Sequence, residues 1–368
     1  MPYELNLLAE VTLRTSCAAN LESAVRTAQA CRLDRPFCGW FLVIVALAAC
    51  SSCGKSPQAQ PTPKAEEAPP AASQTPPSPA AQPVVQPAAP TVKSPAIGTQ
   101  AELEAALKAK NPKLAAAVET ALDQQQIVGV QVNDPALEDI SPLAGLPLQM
   151  LSLAGGRVSD LSALRGMPLK SLDLRGCPVE DLGAVAGAPI QELFLEETRV
   201  RDLSPLAKMP LVKLYLSNAP VDDLRPLAGR PLQELNLLGT RVKDLAPLRG
   251  SRISMLWLNQ TPVEDVAPLA DVPLVSLTLE GTKVSDLSPL ANNPMERLHI
   301  GETAVTDLTP VARMRLTRLI FTPSRIRKGM DLVRQMPTLR ELDTKFGQGS
   351  RPMPPAQFWR LYDAGEIK

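Results

Sequence analysis

The chain has 368 residues, with 38 basic and 38 acidic side chains and 38 prolines. A balanced charge argues against a nucleic-acid-binding protein, which needs a basic surface to displace the counterions of phosphates. The single histidine, His299, excludes a metal site built from several histidines and leaves one residue on which triad catalysis would depend. We therefore expect no enzyme, no cofactor, no metal and no nucleic-acid partner.

The first predicted element is a short apolar segment, Trp40–Ala49. About ten apolar residues are typical of the core of a signal peptide, whereas a membrane helix needs roughly 20. The segment ends in Leu47-Ala-Ala-Cys50, which resembles the bacterial lipobox. The resemblance implies cleavage before Cys50 and a diacylglyceryl group on its sulfur. Residues 1–49 are thus a predicted signal peptide, with a true start near Val25 as an alternative.

A proline-rich stretch follows the predicted anchor. Residues 57–95 contain 12 prolines among 39 residues, interleaved with Ala, Gln, Ser and Thr. Because this composition cannot bury a core, we predict that residues 50–96 comprise the lipidated Cys50 and an extended tether reaching on the order of 100 Å. A spacer and a docking site for a proline-binding partner both remain open. Ser51 stands where aspartate often signals inner-membrane retention, so the resemblance favours an outer membrane where the envelope has one.

An internal repeat begins after the tether. Leu-x-Leu pairs recur every 21 residues from Leu151 to Leu319, and Val130-Gln-Val132 lies one period earlier. Each pair predicts a short strand whose two apolar side chains point inward and whose middle residue points outward. Parallel stacking of these strands leaves Ser204-Pro205 and its equivalents on the convex side, where we expect a serine N-cap and a single 3₁₀ or α turn.

The unit Ile190–Leu206 shows the motif clearly. It follows LxxLxLxxNxL, with threonine or another small residue in place of asparagine, and it resembles the internalin-type bacterial leucine-rich repeats. Their N-x-I-x-D-I-x-x-L run is similar to T-x-V-x-D-L-x-P-L in this chain. We predict an α/β solenoid, a leucine-rich-repeat stack of about ten short parallel strands, with the repeats over residues 127–323.

Nine aspartates recur at one phase of the repeat, from Asp139 to Asp307. A calcium ladder needs several oxygens per ion, and one carboxylate per repeat is too sparse for that. We predict instead that each aspartate caps backbone N–H groups of its own turn.

The open ends of a repeat stack must be covered. At residues 97–126 we predict a helical cap, with Thr99 and Glu102 forming a capping box and a second helix carrying Leu114, Val118 and Leu122. At residues 324–368 we predict a C-terminal cap and tail. Its expected elements are a helix with Ile326, Met330 and Val333, a strand at 339–342, and a buried aromatic cluster, Phe358, Trp359 and Tyr362.

The outward residue of each Leu-x-Leu pair defines the predicted concave face. Between residues 130 and 321 the aromatic side chains are Phe194, Tyr215, Trp257 and Phe321, and the first three hold this outward position. An outward aromatic gains little from folding, so such a run indicates a partner that buries it. The alternative is that aromatic pairs across strands stabilise the sheet. The predicted partner-binding residues are Phe194, Tyr215, Asn236, Trp257, Thr278 and His299.

Together these features predict a lipid-anchored cell-envelope protein, held in the membrane through the lipid on Cys50, whose concave face binds another macromolecule. The resemblance to internalins, which bind proteins by this face, implies a protein ligand. The alternative is a structural envelope or peptidoglycan-associated spacer without a specific concave ligand. We expect no catalytic residue, and we interpret Cys177 as a packing residue because it lies at an inward position.

Overall fold

The computed structural model describes residues 97–345 and 352–367. The predicted signal peptide, Cys50 and the tether lie outside the described residues. The helices are α1, α2 and α3, at Gln100–Lys110, Met330–Arg334 and Pro355–Asp363. The strands β1 to β12 are Glu119–Asp123, Gln126–Gln131, Met150–Ser152, Ser171–Asp173, Glu192–Phe194, Lys213–Tyr215, Glu234–Asn236, Met255–Trp257, Ser276–Thr278, Arg297–Ile300, Arg318–Phe321 and Glu341–Asp343.

The twelve described strands form one sheet in sequence order. From β2 to β12 all neighbours are parallel, and the first leucine of each repeat pairs with the equivalent residue of the next, as Leu193 does with Leu214. Both leucines of each pair are buried, and they form the core together with the apolar residues of the returning segment. The predicted leucine-rich-repeat solenoid is thus confirmed.

Short 3₁₀ turns occupy the convex side, as the repeat length predicts. The predicted serine N-cap of these turns is wrong. Ser204 is the first residue of its turn, and its backbone N–H donates to Asp202 Oδ1 at 2.8 Å. The turns are Ser141–Leu143, Ser162–Leu164, Gly183–Val185, Ser204–Leu206, Arg225–Leu227, Ala246–Leu248, Ala267–Leu269, Ser288–Leu290, Thr309–Arg313 and Pro323–Arg325.

The periodic aspartates all act as caps. Each of the nine accepts a hydrogen bond from the backbone N–H two residues later, at 2.7–2.9 Å. For Asp202, bonds from the side chain and backbone of Ser204 hold the pKa of the carboxyl below its usual range. In residues 97–345 and 352–367, no three His, Cys, Asp or Glu side chains converge as metal ligands would.

The small residue of each repeat closes the turn after the strand. Threonine at this position donates its hydroxyl to the carbonyl three residues earlier, as Thr261 does to Leu258 at 2.7 Å. Cys177 occupies the same position, and its Sγ donates to the Leu153 carbonyl at 3.1 Å. Burial raises the pKa of Cys177 to about 11, so the thiol stays protonated at neutral pH. Cys177 is therefore a buried packing residue of the core, as its inward position predicts.

The N-terminal cap contains one helix and a β-hairpin. The Thr99–Glu102 capping box is present on α1, which buries Leu103 and Leu107. The second predicted helix is wrong, because Glu119–Asp123 is instead strand β1, antiparallel to β2. Asp134 accepts the backbone N–H groups of Ala115 and Ala116, and Leu122 on strand β1 is 62% exposed.

The C-terminal cap follows the predicted order of elements. Helix α2 starts later than Ile326, because Gly329 before it adopts a left-handed φ of 83°. Strand β12 continues the parallel sheet, and the ring of Phe358 on α3 packs against Phe321 at 5.7 Å between centroids. No helix in the described part of the chain combines the length and the apolar composition that a membrane crossing needs.

Candidate concave-face site

In-register pairing brings the six predicted site residues into one row. Tyr215 pairs with Phe194 on one side and Asn236 on the other, and Thr278 pairs with Trp257 and His299. Six residues that are 21 positions apart in the sequence are therefore neighbours across strands β5 to β10, about 4.8 Å from one to the next.

The three aromatic rings form a continuous stack. The rings of Phe194 and Tyr215 are 5.2 Å apart between centroids and nearly parallel at 13°. Tyr215 and Trp257 lie two strands apart, yet their centroids are 5.9 Å apart at 36°, so the two rings lean together above Asn236. At the other end of the stack, the guanidinium carbon of Arg175 lies 5.7 Å from the centroid of Phe194. We call Phe194, Tyr215 and Trp257 the aromatic stack.

Tyr215 is fixed in place by its neighbours. Its hydroxyl donates to Glu234 Oε2, and Lys213 Nζ lies 3.2 Å from Glu192 Oε1 and 3.8 Å from Glu234 Oε1. Burial and the bond to Glu234 raise the pKa of the phenol, so it remains a neutral donor. The orientation of Tyr215, the middle ring of the stack, is thus set by contacts within its own sheet.

The structure buries two site residues more deeply than the sequence analysis assumed. Thr278 is 6% exposed and His299 is 3% exposed, whereas Asn236 and the stack are half-buried. Long side chains also reach across short ones on this face, since Arg297 Nη2 lies 4.0 Å from Met255 Sδ across the intervening Ser276. Thr278 and His299 therefore present little of their surface at this face.

Asn236 uses part of its polar capacity within its own repeat. Its Oδ1 accepts the backbone N–H of Leu238 at 3.0 Å, which fixes the end of strand β7.

His299 is uncharged in the folded protein. Burial and the positive charge of Arg318 together lower the pKa of its imidazole to about 4, so the imidazole is neutral at pH 7.

The predicted partner-binding residues, which are the middle residues of the strands, form only part of this face. Alternation also turns outward the residue before the first leucine and the residue after the second. These positions carry further apolar side chains, the half-buried Met255 and Leu238, and charged ones that border the aromatic stack. The charged residues are Arg175, Glu192, Glu196, Lys213, Glu234 and Glu280.

Glu196 lies at the beginning of the stack, two residues after Phe194. Burial raises its pKa, although the charge of Arg175 acts in the opposite direction. Its Oε2 is buried and has no hydrogen-bond partner within residues 97–345 and 352–367. Arg175 is engaged with Asp173, with 2.6 Å between Nη2 and Oδ2. The border of the stack is therefore predominantly acidic.

This fold is a leucine-rich-repeat solenoid. The chain is similar in structure to the internalin InlF of Listeria monocytogenes, at a TM-score of 0.53 and 19% identity over 65% of this chain and 87% of that one. It is also similar to internalin C2 of the same organism, at a TM-score of 0.46 and 24% identity over 60% and 92% of the two chains. No protein-family model and no curated protein matches the sequence. At these identities the likeness establishes the fold alone.

Proposed function

We propose that this chain is a lipid-anchored cell-envelope protein whose concave face binds another protein. The observation that supports the proposed binding activity is the aromatic stack. Its three half-buried rings lie in a row on the outward side of a parallel sheet. Large apolar side chains left accessible together on a rigid surface are typical of interaction sites.

The shape and border of this surface suit a protein partner. Met255 and Leu238 extend the stack sideways, and the row from Phe194 to His299 spans about 24 Å at the spacing of parallel strands. A span of this length is comparable with the core of a protein interface of ordinary size. Charged groups around an apolar centre match the usual arrangement of such an interface.

The proposed membrane anchor rests on the sequence. Trp40–Ala49 supplies the apolar core of a signal peptide, Cys50 is the lipidated residue, and the proline-rich stretch 57–95 is the tether. A lipid on Cys50 with such a tether would hold the solenoid clear of the membrane surface. Ser51 favours the outer membrane in a cell that has one.

One observation favours a second function, a structural envelope spacer. The rings of Phe194 and Tyr215 turn their faces toward each other, and the Tyr215 hydroxyl is bonded within the sheet. Such contacts stabilise a sheet even where no partner exists.

Affinity capture with the full-length protein separates these functions. The double variant Tyr215→Ala/Trp257→Ala removes two rings of the stack. The matched control, Leu122→Ala/Leu332→Ala, removes the two most exposed large apolar side chains of the described chain, which lie in the terminal caps. Circular dichroism verifies that every variant is folded.

Proteins bound to the wild type and to the cap control, but lost from the stack variant, would support the binding function. Equal capture by all three proteins, together with a lower melting temperature of the stack variant alone, would support the spacer.

A further inference from the structure

A polar cluster lies beside the aromatic stack on its C-terminal side. Its members are Asn259, Thr278, Glu280 and His299, and we call them the Glu280 cluster. Thr278 pairs with both Trp257 and His299 across the sheet. Asn259 Nδ2 donates to Glu280 Oε2 at 3.4 Å. Trp257 therefore belongs to the stack and also borders this cluster.

The cluster contains two buried oxygen atoms that have no hydrogen-bond partner among the described residues. Asn259 and Thr278 are 3% and 6% exposed. Neither Asn259 Oδ1 nor Thr278 Oγ1 has a hydrogen-bond partner within the described part of the chain. Buried polar atoms are nearly always bonded in folded proteins, so two orphaned oxygens, one in strand β9 and one just after strand β8, are unusual. An amide oxygen can only accept, so the group that completes this site must be a donor.

The cluster also contains a carboxylate without a charged counterpart. The one basic group within ion-pairing distance of Glu280, among the described residues, is His299, with 4.0 Å between Nε2 and Oε1. Since burial lowers the pKa of His299 to about 4, this imidazole is neutral at pH 7. Burial raises the pKa of Glu280, which shows that its negative charge is poorly solvated. The side chain of Glu280 is 32% exposed, so a ligand can reach it from the concave side.

We propose that the Glu280 cluster binds the ammonium or guanidinium group of a lysine or arginine side chain presented by the protein partner. Such groups are donors without acceptor atoms, and they would satisfy Glu280 and the oxygen of Asn259 together. The indole of Trp257 beside the cluster adds a ring that attracts cations. This inference rests on the proposed function, because the cation arrives as part of the segment that covers the aromatic stack.

The charges around the stack favour the same partner. Over strands β5 to β9 the outward positions carry four acidic side chains and one basic one, Lys213. A segment with apolar residues and at least one basic residue is complementary to that surface, and an acidic segment would be repelled. The acidic residues are Glu192, Glu196, Glu234 and Glu280.

Peptide selection followed by a thermodynamic cycle tests the inference. The full-length protein in detergent is used to select binders from a phage-displayed library of random peptides. Each lysine or arginine of a selected peptide is replaced by methionine in turn, and Kd is measured for wild type and Glu280→Gln. The matched control is Glu264→Gln, which removes one negative charge from an exposed ion pair with Lys283.

We expect one basic peptide residue whose replacement weakens binding to the wild type and to Glu264→Gln by about tenfold, yet weakens binding to Glu280→Gln by less than about twofold. The variant Asn259→Leu, which removes the orphaned oxygen, should weaken binding of the same peptide. Melting curves verify that each variant is folded.

The outcomes separate the two proposals. If every basic replacement weakens binding to Glu280→Gln as much as to wild type, the cation site is wrong, while loss of binding in Tyr215→Ala/Trp257→Ala would still support the concave face. If no peptide is selected, or if the selected peptides bind the stack variant unchanged, both proposals fail.

Discussion

Tyr215 and Trp257 touch although a whole strand lies between them. Their ring centroids are 5.9 Å apart, whereas their strands β6 and β8 are separated by β7 and hence by about 9.6 Å. The contact exists because Asn236 between them is short and is bonded to its own backbone, to the N–H of Leu238. A pair of adjacent rings is thus formed by residues 42 positions apart in sequence.

This contact should be measurable in stability. The single variants Tyr215→Ala and Trp257→Ala and the double variant form a cycle, and we expect a favourable coupling of about 0.5–1.5 kcal/mol in the free energy of unfolding by urea. The cycle of Phe194→Ala with Trp257→Ala is the control, because Tyr215 separates those two rings. A coupling as large in the control would show that the sheet as a whole, and not the ring contact, produces the effect.

The buried His299 should make stability depend on pH. Its pKa is lowered from 6.5 to about 4 in the folded state, so below pH 6.5 the unfolded chain takes up a proton that the folded chain resists. Stability should therefore fall as pH drops from 6.5 to about 4. Below pH 4 both the folded and the unfolded chain carry the proton, so His299 causes no further loss. A pKa lowered from 6.5 to about 4 corresponds to a loss of roughly 3 kcal/mol in the free energy of unfolding over this pH range.

The measurement is the free energy of unfolding against pH for wild type and His299→Gln. The raised pKa values of Glu196 and Glu280 act in the opposite direction, and both residues are present in each protein. The difference between the two curves thus isolates the histidine. Parallel curves from pH 6.5 to pH 4 would contradict the prediction.

The threonine of each repeat should contribute through one buried hydrogen bond. Thr261 Oγ1 donates to the carbonyl of Leu258 at 2.7 Å, and Thr261 is buried. We expect Thr261→Val to lower the free energy of unfolding by about 1 kcal/mol, because the carbonyl loses its donor at nearly unchanged volume. Thr317→Val is the control, since this hydroxyl bonds to Glu296 in an exposed setting. An equal loss in both would mean that the valine side chain itself is poorly accommodated.

The proposed anchor is tested by metabolic labelling with a palmitate analogue. Wild-type chain and Cys53→Ala should be labelled and should fractionate with membranes, whereas Cys50→Ala should lose the label, because the thiol of Cys50 is the proposed acceptor. Labelling that persists in Cys50→Ala would contradict the proposed lipid anchor. It would not bear on the proposed protein binding by the concave face.

The repeat could be predicted in detail because its signal recurs. Leucines 21 residues apart must all be buried, and nine aspartates in phase all serve as caps. The N-terminal hairpin could not be predicted, since Leu114, Val118 and Leu122 have helical spacing. Pairing of β1 with β2, and the bonds from Ala115 and Ala116 to the carboxylate of Asp134, depend on residues outside that apolar pattern.

The sequence by itself determined the solenoid, the phase of every strand and the row of outward residues, because a period of 21 residues brings equivalent positions into register. Only the tertiary structure decided which of those outward residues are accessible. The ring of Tyr215 reaches over Asn236 to contact that of Trp257, whereas Thr278 and His299 are buried. The alternation of a strand dictates the direction in which a side chain leaves the sheet, whereas the lengths of its neighbours on adjacent strands dictate whether it reaches solvent.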